Sequence, residues 1–90
     1  MNFEWDEEKN IANKRKHGIS FEVATLAFRD EYRLEEYDEV HSYDEDRYNI
    51  IGMVHKLIYV VYTERENDTI RIISARLATA TERKRYYGGD

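Results

Sequence analysis

The sequence predicts an α+β fold, a four-stranded antiparallel sheet with two N-terminal helices and a short C-terminal helix, in the order α-α-β-β-β-β-α. Three observations predict it. Capping residues and a glycine stop delimit helical patterns before residue 30. Four segments rich in β-branched and aromatic residues follow, joined by short connections that make neighbouring strands antiparallel. A capping box then opens a last helix.

The two N-terminal helices are recognised by their ends. Asp6 is a good N-cap for a first helix over residues 7–17, and Gly18 supplies the left-handed conformation that ends it. Ser20 caps a second helix, whose apolar residues recur at helical spacing and which stops near Asp30. A tight turn therefore joins two helices that lie back to back.

The remaining elements follow from composition and spacing. The predicted strands cover residues 32–37, 47–54, 57–65 and 69–76. The third is apolar at nearly every position from 57 to 62, which is typical of a central strand with both faces covered. Thr79 and Glu82 form an S/T-x-x-E capping box that opens a helix over 82–87, and Gly88 and Gly89 end it.

The short turns imply a register for the sheet. A two-residue turn after the second strand places Arg47 opposite Arg65, and the next turn places Thr63 opposite Arg71. Because side chains alternate between faces, one face collects Arg47, Asn49, Thr63, Arg65 and Arg71. The other is predicted to be the core face, with Tyr48, Ile50, Val54, Ile58, Val60, Tyr62, Ile70 and Ile72. Opposed arginines destabilise a sheet unless an anion or a nearby acid bridges them.

Charge is strongly segregated along this acidic chain, whose net charge is −5. Residues 30–46 contain nine acids and one arginine, whereas residues 47–90 contain eight bases and five acids. This pattern predicts an acidic segment that docks a basic partner and a basic half that engages an anion. The alternative is that the acids only solvate a connecting loop.

Several classes of function are disfavoured by composition. There are no cysteines, and the three histidines lack ligand spacing, so we expect neither a disulfide framework nor a metal or other cofactor. The longest apolar run, at 57–62, is too short to span a membrane, and the first residues lack the order of a secretory signal. The prediction is one cytoplasmic domain over residues 1–90, with no membrane partner.

Three blocks together carry a resemblance to a known family. They are FEWDEEKNIANKRKHGISFEVA, DRYNIIG and YTERENDTIRIISARLATATERKRYY, and in this order they resemble the BrnT family of toxins. The resemblance implies a RelE-like ribonuclease fold and the toxin half of a type II toxin–antitoxin pair. It also implies an endoribonuclease that halts translation and is neutralised by a BrnA-type antitoxin.

The resemblance implies partners as well. A BrnA-type antitoxin carries a ribbon-helix-helix part that binds DNA, so DNA would be contacted only indirectly, through the antitoxin. RNA is the implied substrate. A homodimer and a toxin–antitoxin hetero-oligomer are both compatible with this scheme.

Metal-free RNA cleavage needs a group that moves protons and a group that stabilises negative charge on phosphate. Arg47, Arg65 and Arg71 are the candidates for the second task, because a guanidinium is permanently charged and matches phosphate oxygens. His41, in the loop before the second strand, is the candidate for proton transfer. Glu64 is the alternative, although the register places it on the opposite face. Arg76 is a further candidate catalytic residue. The register places it on the core face at the far end of the sheet, where it can serve the structure as well as the chemistry.

The last helix carries candidate RNA-binding residues. Arg83, Arg85 and Tyr86 can contact phosphates or stack on bases. The alternative is that one tyrosine belongs to the core and the two arginines face solvent. A different class of function also remains open, namely a non-enzymatic binding module, or an inactive toxin fold, that docks a basic partner on segment 30–46.

Overall fold

The computed structural model describes residues 1–88, which form an α+β fold, so the predicted class is confirmed. The elements in chain order are β1 (Asn2–Glu4), α1 (Glu7–His17), α2 (Phe21–Thr25), a 3-10 turn (Leu26–Arg29), β2 (Leu34–Tyr37), β3 (Tyr48–Val54), β4 (Lys56–Arg65), β5 (Thr69–Leu77) and α3 (Ala80–Tyr86). Among these residues, no helix is long and apolar enough to cross a membrane.

The sheet has five strands in the order β1-β5-β4-β3-β2, which corrects the predicted count of four. The additional strand, β1, pairs in parallel with β5 through Asn2 with Thr69 and Phe3 with Ile70. The β1 backbone also bonds the turn that precedes β5, where Asn2 N donates to Asp68 O at 2.8 Å. Three residues are too few to show an alternating pattern, and their partner lies at the other end of the chain. The other strand pairs are antiparallel as predicted.

The N-terminal helices end where their capping residues predict. The Asp6 carboxylate accepts hydrogen bonds from the backbone N–H groups of Glu8 and Lys9. Gly18, with φ of 74°, ends α1, and its N–H donates to the Lys14 carbonyl. The second helix is short and tightens into the 3-10 turn before Asp30.

The C-terminal helix begins with the complete capping box. Thr79 Oγ1 accepts from Glu82 N, while the Glu82 carboxylate accepts from Thr79 N. The helix starts at Ala80, two residues before the predicted first residue. Gly88 follows it with φ of 79°, and Gly89, also predicted to end it, lies outside the described residues.

The predicted core face is confirmed. Two of its residues, Tyr48 and Val54, are partly buried and pack against the core. The other six are buried, namely Ile50, Ile58, Val60, Tyr62, Ile70 and Ile72. The N-terminal helices cover this face, with Phe21, Ala24 and Ala27 fully buried. Gly52 permits the closest approach, since a Cβ there would lie 2.8 Å from the Ala27 carbonyl oxygen.

The predicted register between β3 and β4 is wrong by two residues. His55, with φ of 61°, stands alone between the paired residues Val54 and Lys56. Tyr48 therefore pairs with Tyr62, and Arg47, which precedes β3, lies at the level of Thr63 rather than Arg65. The prediction of a two-residue turn was wrong because Lys56 belongs to β4, which leaves His55 alone to close the turn in a left-handed conformation.

The register between β4 and β5 begins as predicted, with Thr63 paired to Arg71, and then shifts. Tyr62 pairs with Ile72 but Val61 pairs with Ser74, so Ile73 is an extra residue in a β-bulge. The shift reverses which side chains face the core. Arg76 pairs with Tyr59 and lies on the face opposite the core, which we call the second face. The prediction that Arg76 lies on the core face is therefore wrong.

Candidate active site

A groove of about 240 Å³ opens on the second face, between loop 38–47 and strands β4 and β5. We call it the sheet groove. Its lining residues are Asp38, His41, Arg47, Tyr59, Val61, Ile73, Ser74 and Arg76. It thus brings together His41, Arg47 and Arg76, three of the five residues that the sequence suggested for catalysis.

Arg76 is fixed from two sides. Its Nη1 and Nη2 atoms donate to the Glu82 carboxylate oxygens at 2.8 and 3.0 Å, a two-point ion pair. The guanidinium carbon lies 4.1 Å from the centre of the Tyr59 ring, within the range of a cation–π contact. Hydrogen bonding to Glu82 raises the pKa of Arg76 further. The guanidinium is therefore a permanent charge with a defined orientation at the groove.

Glu82 is placed by the helix that it caps. Its side chain is largely buried, and one carboxylate oxygen also accepts from Thr79 N at 2.8 Å. Burial raises the pKa of Glu82, but the hydrogen bonds from Arg76 and Thr79 outweigh it and hold the pKa below its ordinary value. Glu82 is thus a charged counter-ion that joins α3 to the end of β5.

His41 is oriented by a buried carboxylate. Asp38 is only 9% exposed, and its Oδ2 lies 2.9 Å from His41 Nδ1 while its Oδ1 accepts from the His41 backbone N–H. A carboxylate next to Nδ1 favours the tautomer that carries its proton there, which leaves Nε2 able to accept one. The pair therefore has the geometry of a carboxylate–histidine base.

The loop that carries both residues is closed by its own hydrogen bonds. Asp38 N donates to the Arg47 carbonyl at 2.9 Å, and Arg47 N donates to Ser42 Oγ at 2.9 Å. Ser42 Oγ in turn donates to the Asp38 carbonyl. These bonds tie the beginning of the loop to its end, so His41 and Arg47 are held above the same strands.

Arg65 and Arg71 lie beyond the groove, on the side away from Arg76, and each contacts a carboxylate. Arg65 Nη1 lies 2.9 Å from Glu45, and Arg71 Nη1 lies 2.9 Å from Glu4. Glu45 belongs to the acidic segment and neutralises Arg65. The sequence suggested an anion or a nearby acid as the partner of this arginine, and the structure shows the acid. Neither arginine lines the sheet groove.

The three candidate RNA-binding residues of α3 all make contacts within the fold. Arg83 donates to the Ala78 carbonyl, and Arg85 forms an ion pair with Glu36. Tyr86 packs beside Ile51 and Leu57. Its hydroxyl donates to Asp30 Oδ2 at 2.6 Å.

Asp30 and Tyr86 shift one another's titration in the expected directions. Burial raises the pKa of Asp30, but hydrogen bonds from Tyr86, Tyr32 N and Met53 N outweigh it and lower the pKa below its ordinary value. Burial and the same contact raise the pKa of Tyr86 to about 12. Asp30 thereby connects the 3-10 turn, β3 and α3.

The acidic segment finds many of its partners within the chain. Six of its nine acids contact a cation, a hydroxyl, an imidazole or backbone N–H groups, namely Asp30, Glu35, Glu36, Asp38, Glu45 and Asp46. The segregation of charge along the sequence is reduced in the fold, because Glu36 and Glu45 pair with Arg85 and Arg65 of the basic half.

Sequence reasoning missed two residues that line the groove, Asp38 and Tyr59, and it missed Glu82, which orients Arg76. Burial raises the pKa of Tyr59, and the carboxylates of Asp38 and Glu82 add to this effect. The capping box identified Glu82 as a structural residue only. Asp38 stood within a run of acids, and three-residue spacing to His41 was the one available signal.

No three acidic, histidine or cysteine side chains come together as a possible metal site anywhere in residues 1–88. The groove itself offers a carboxylate-oriented imidazole, two guanidinium groups and a phenol. Such a set can move a proton and bind a phosphate diester.

Comparisons with known proteins agree with this architecture. Residues 5–82 match the family model described as "Ribonuclease toxin, BrnT, of type II toxin-antitoxin system". The fold is similar to the crystal structure of the Brucella abortus ribonuclease toxin BrnT, with a TM-score of 0.67 and 26% sequence identity over 88% of this chain and 97% of that chain. Comparison with curated proteins gave no match. On this evidence the chain belongs to the BrnT family of ribonuclease toxins of type II toxin–antitoxin systems.

Proposed function

We propose that this protein is a metal-independent endoribonuclease that cleaves RNA in the sheet groove and thereby inhibits translation. One observation carries the proposal: His41, oriented by Asp38, opens on the same groove as Arg47 and Arg76. In RNA cleavage the 2′-hydroxyl attacks the neighbouring phosphate. This reaction requires a proton acceptor and positive charge near the phosphate, and the groove provides both.

In the proposed reaction, His41 accepts the proton of the 2′-hydroxyl, and the 2′-oxygen attacks phosphorus. The bond between phosphorus and the 5′-oxygen breaks, which leaves a 2′,3′-cyclic phosphate and a 5′-hydroxyl end. Water on the open side of the groove supplies the proton to the leaving oxygen. Arg47 and Arg76 bind the non-bridging oxygens, where negative charge accumulates, and Tyr59 supports the Arg76 guanidinium from below.

Arg65 and Arg71 have a lesser part in this proposal. Each lies outside the sheet groove, with Glu45 or Glu4 as its partner, so its contribution would be to the path of the RNA backbone. On α3, Arg83, Arg85 and Tyr86 would likewise act mainly by holding the helix that carries Glu82.

A cleavage assay in excess EDTA tests the proposed activity. The parent protein should cut single-stranded RNA under these conditions and leave 2′,3′-cyclic phosphate ends. The cleavage rate of His41→Ala should be lower by about a hundredfold or more. His55→Asn is the matched control, because it removes another exposed histidine at a left-handed position that asparagine tolerates. Cleavage that disappears with EDTA and returns with magnesium would contradict the metal-independent mechanism.

The toxin's partner is proposed to be a BrnA-type antitoxin with a ribbon-helix-helix part. We expect the toxin to act in the cytoplasm, where it would halt growth when induced alone in a bacterial host. Co-expression of the protein encoded by the adjacent gene should restore growth. Arrest without RNA fragments, or an unchanged arrest by His41→Ala, would contradict the enzymatic mechanism.

The antitoxin would approach the acidic segment through its exposed acids, which include Glu31, Glu39 and Asp44. Charged groups at the rim of an interface mainly raise the association rate, so binding should slow as salt increases. The same surface favours the second candidate function, a non-enzymatic module that docks a basic partner. Neutralising these three acids distinguishes the two. An enzyme should keep its cleavage rate, whereas a docking module should lose its whole effect on growth.

A further inference from the structure

One side chain caps the free edge of β5. Strand β1 pairs with β5 only at residues 69–71, so in the described structure no strand continues along this edge beyond them. At Ala75, Asn13 of α1 takes the place of a strand. Asn13 Nδ2 donates to the Ala75 carbonyl at 2.8 Å, and Asn13 Oδ1 accepts from Ala75 N at 3.2 Å.

Both donor hydrogens of the Asn13 amide are used at this position. Its Nδ2 also donates to the Ile19 carbonyl at 2.8 Å, in the turn between α1 and α2. Asn13 is 8% exposed and Ala75 is fully buried, so water is a poor substitute for either set of bonds. An apolar side chain at this position would leave both backbone groups of Ala75 without partners.

The capped residue, Ala75, lies between the bulge and Arg76 along β5. Ile73 is the extra residue of the bulge, and Arg76 directly follows Ala75. Asn13 fixes the backbone of Ala75. The Ala75 N–H and carbonyl point away from β4, and the Ala75 side chain points toward the core. Because neighbouring side chains in a strand point to opposite faces, Arg76 must then point into the sheet groove.

We propose that Asn13 is a positioning residue for the groove. By bonding Ala75, it holds the bulge of β5 at Ile73 and keeps Arg76 on the second face, where Glu82 and Tyr59 complete its orientation. This inference rests on the proposed function in one respect, namely that Arg76 takes part in RNA cleavage.

Asn10 provides a matched control on the same helix. It is also buried, at 4% exposure, and its Oδ1 accepts from Phe21 N at 2.7 Å while its Nδ2 donates to Glu22 at 2.8 Å. These bonds tie α1 to α2, and none of them involves β5. A variant at Asn10 therefore disturbs the helix pair by a similar amount without releasing the bulge.

The experiment compares Asn13→Ser with Asn10→Ser in the full chain. Cleavage of single-stranded RNA is measured at saturating substrate and divided by the folded fraction. The NMR signal of the Arg76 Nε–H group, which lies near the Tyr59 ring, is recorded for each variant. Asn13→Ser should lower the rate by about tenfold to a hundredfold and move this signal, because a displacement of about 1 Å can have such an effect. Asn10→Ser should keep the rate within about twofold and leave the signal in place.

A double-mutant cycle completes the test. In the Arg76→Ala background, Asn13→Ser should reduce the remaining rate by less than about twofold, since its effect acts through Arg76. Equal losses for the two asparagine variants, an Arg76 signal that does not move, or a full loss in the Arg76→Ala background would each overturn the proposal.

Two complications have defined consequences, namely an Arg76→Ala variant that is fully active and an Asn13 variant that does not fold. If Arg76→Ala cleaves RNA as fast as the parent, the proposed function of the groove is wrong, and the Arg76 signal alone decides the positioning role. If Asn13→Ser does not fold, Asn13→Gln, which keeps the amide, takes its place. Should neither fold while Asn10→Ser does, Asn13 serves only the fold and the inference is overturned.

Discussion

Arg76 and Glu82 form a two-point ion pair, with distances of 2.8 and 3.0 Å, that joins the last strand to the last helix. The same Glu82 closes the capping box of α3 through Thr79 N. A local helix-start signal and the orientation of a groove arginine therefore depend on one carboxylate. Changes at Glu82 should affect both stability and cleavage.

Replacing Arg76 should slow RNA cleavage more than replacing any arginine that lies outside the sheet groove. We expect Arg76→Ala to lower the rate per folded molecule by about a hundredfold, because it removes a donor aimed at developing negative charge. Arg76→Lys should restore only part of the rate, since an ammonium cannot form the same fork. Single-turnover cleavage with a thermal melt for each variant measures this. Arg65→Ala, which breaks only the pair with Glu45, is the control. If it loses as much, the chemistry lies at the other end of the sheet.

Glu82→Gln should reveal the ion pair by its pH dependence. Glutamine keeps the capping box but loses the charge opposite Arg76, so at pH 7 we expect a loss of about 1–2 kcal/mol in the free energy of unfolding. Because the folded-state pKa of Glu82 lies below its ordinary value of 4.5, its stabilisation is present above that pH and is lost as pH falls through the folded-state pKa.

Thermal melts of the parent and Glu82→Gln between pH 7 and pH 3 measure this effect. The two curves of melting temperature against pH should converge at the acidic end. Glu39→Gln, at an exposed position on the acidic loop, should stay close to the parent throughout. A gap that stays constant with pH would show that the Glu82 charge contributes nothing.

Tyr86→Phe should destabilise the fold by about 1.5–3 kcal/mol, because the hydroxyl donates to the charged carboxylate of Asp30. The raised pKa of Tyr86, about 12, means that this contribution is present below pH 10 and is lost as pH rises through about 12. Urea unfolding near neutral pH measures the difference. Tyr87→Phe, at a residue 69% exposed, should change stability by less than about 0.5 kcal/mol. Equal effects of the two substitutions would rule out the special role of the Asp30 contact.

Asp38→Asn should lower the cleavage rate by about tenfold to a hundredfold while leaving the loop in place. The amide can still accept from the His41 backbone, but it no longer favours the tautomer with a proton on Nδ1. Steady-state kinetics should place the loss in kcat rather than in KM. Glu39→Gln, one residue further along the loop, controls for the loss of an acidic charge. An unchanged kcat in Asp38→Asn would remove His41 from the proposed chemistry.

The sequence by itself determined the helix ends and the core face. Asp6, Gly18 and the Thr79–Glu82 box were predictable because each bonds to backbone groups within four residues. The alternation of side chains between the two faces of the sheet grouped the residues of the buried side, since a pattern of period two has only two possible faces. The side-chain chemistry of His41, Arg47 and Arg76 was enough to suggest them as site residues, but the sequence did not show that they lie in one groove.

Only the tertiary structure decided which arginines meet. The parallel pairing of β1 with β5 joins the two ends of the described chain, and the bulge at Ile73 turns Arg76 from the core to the groove. The contact that fixes this region joins Asn13 to Ala75 across 62 residues. Acids of segment 30–46 likewise neutralise arginines far from them in sequence, as Glu36 does with Arg85. Local propensity cannot report such contacts, because their energy exists only once the helices and the sheet have packed together.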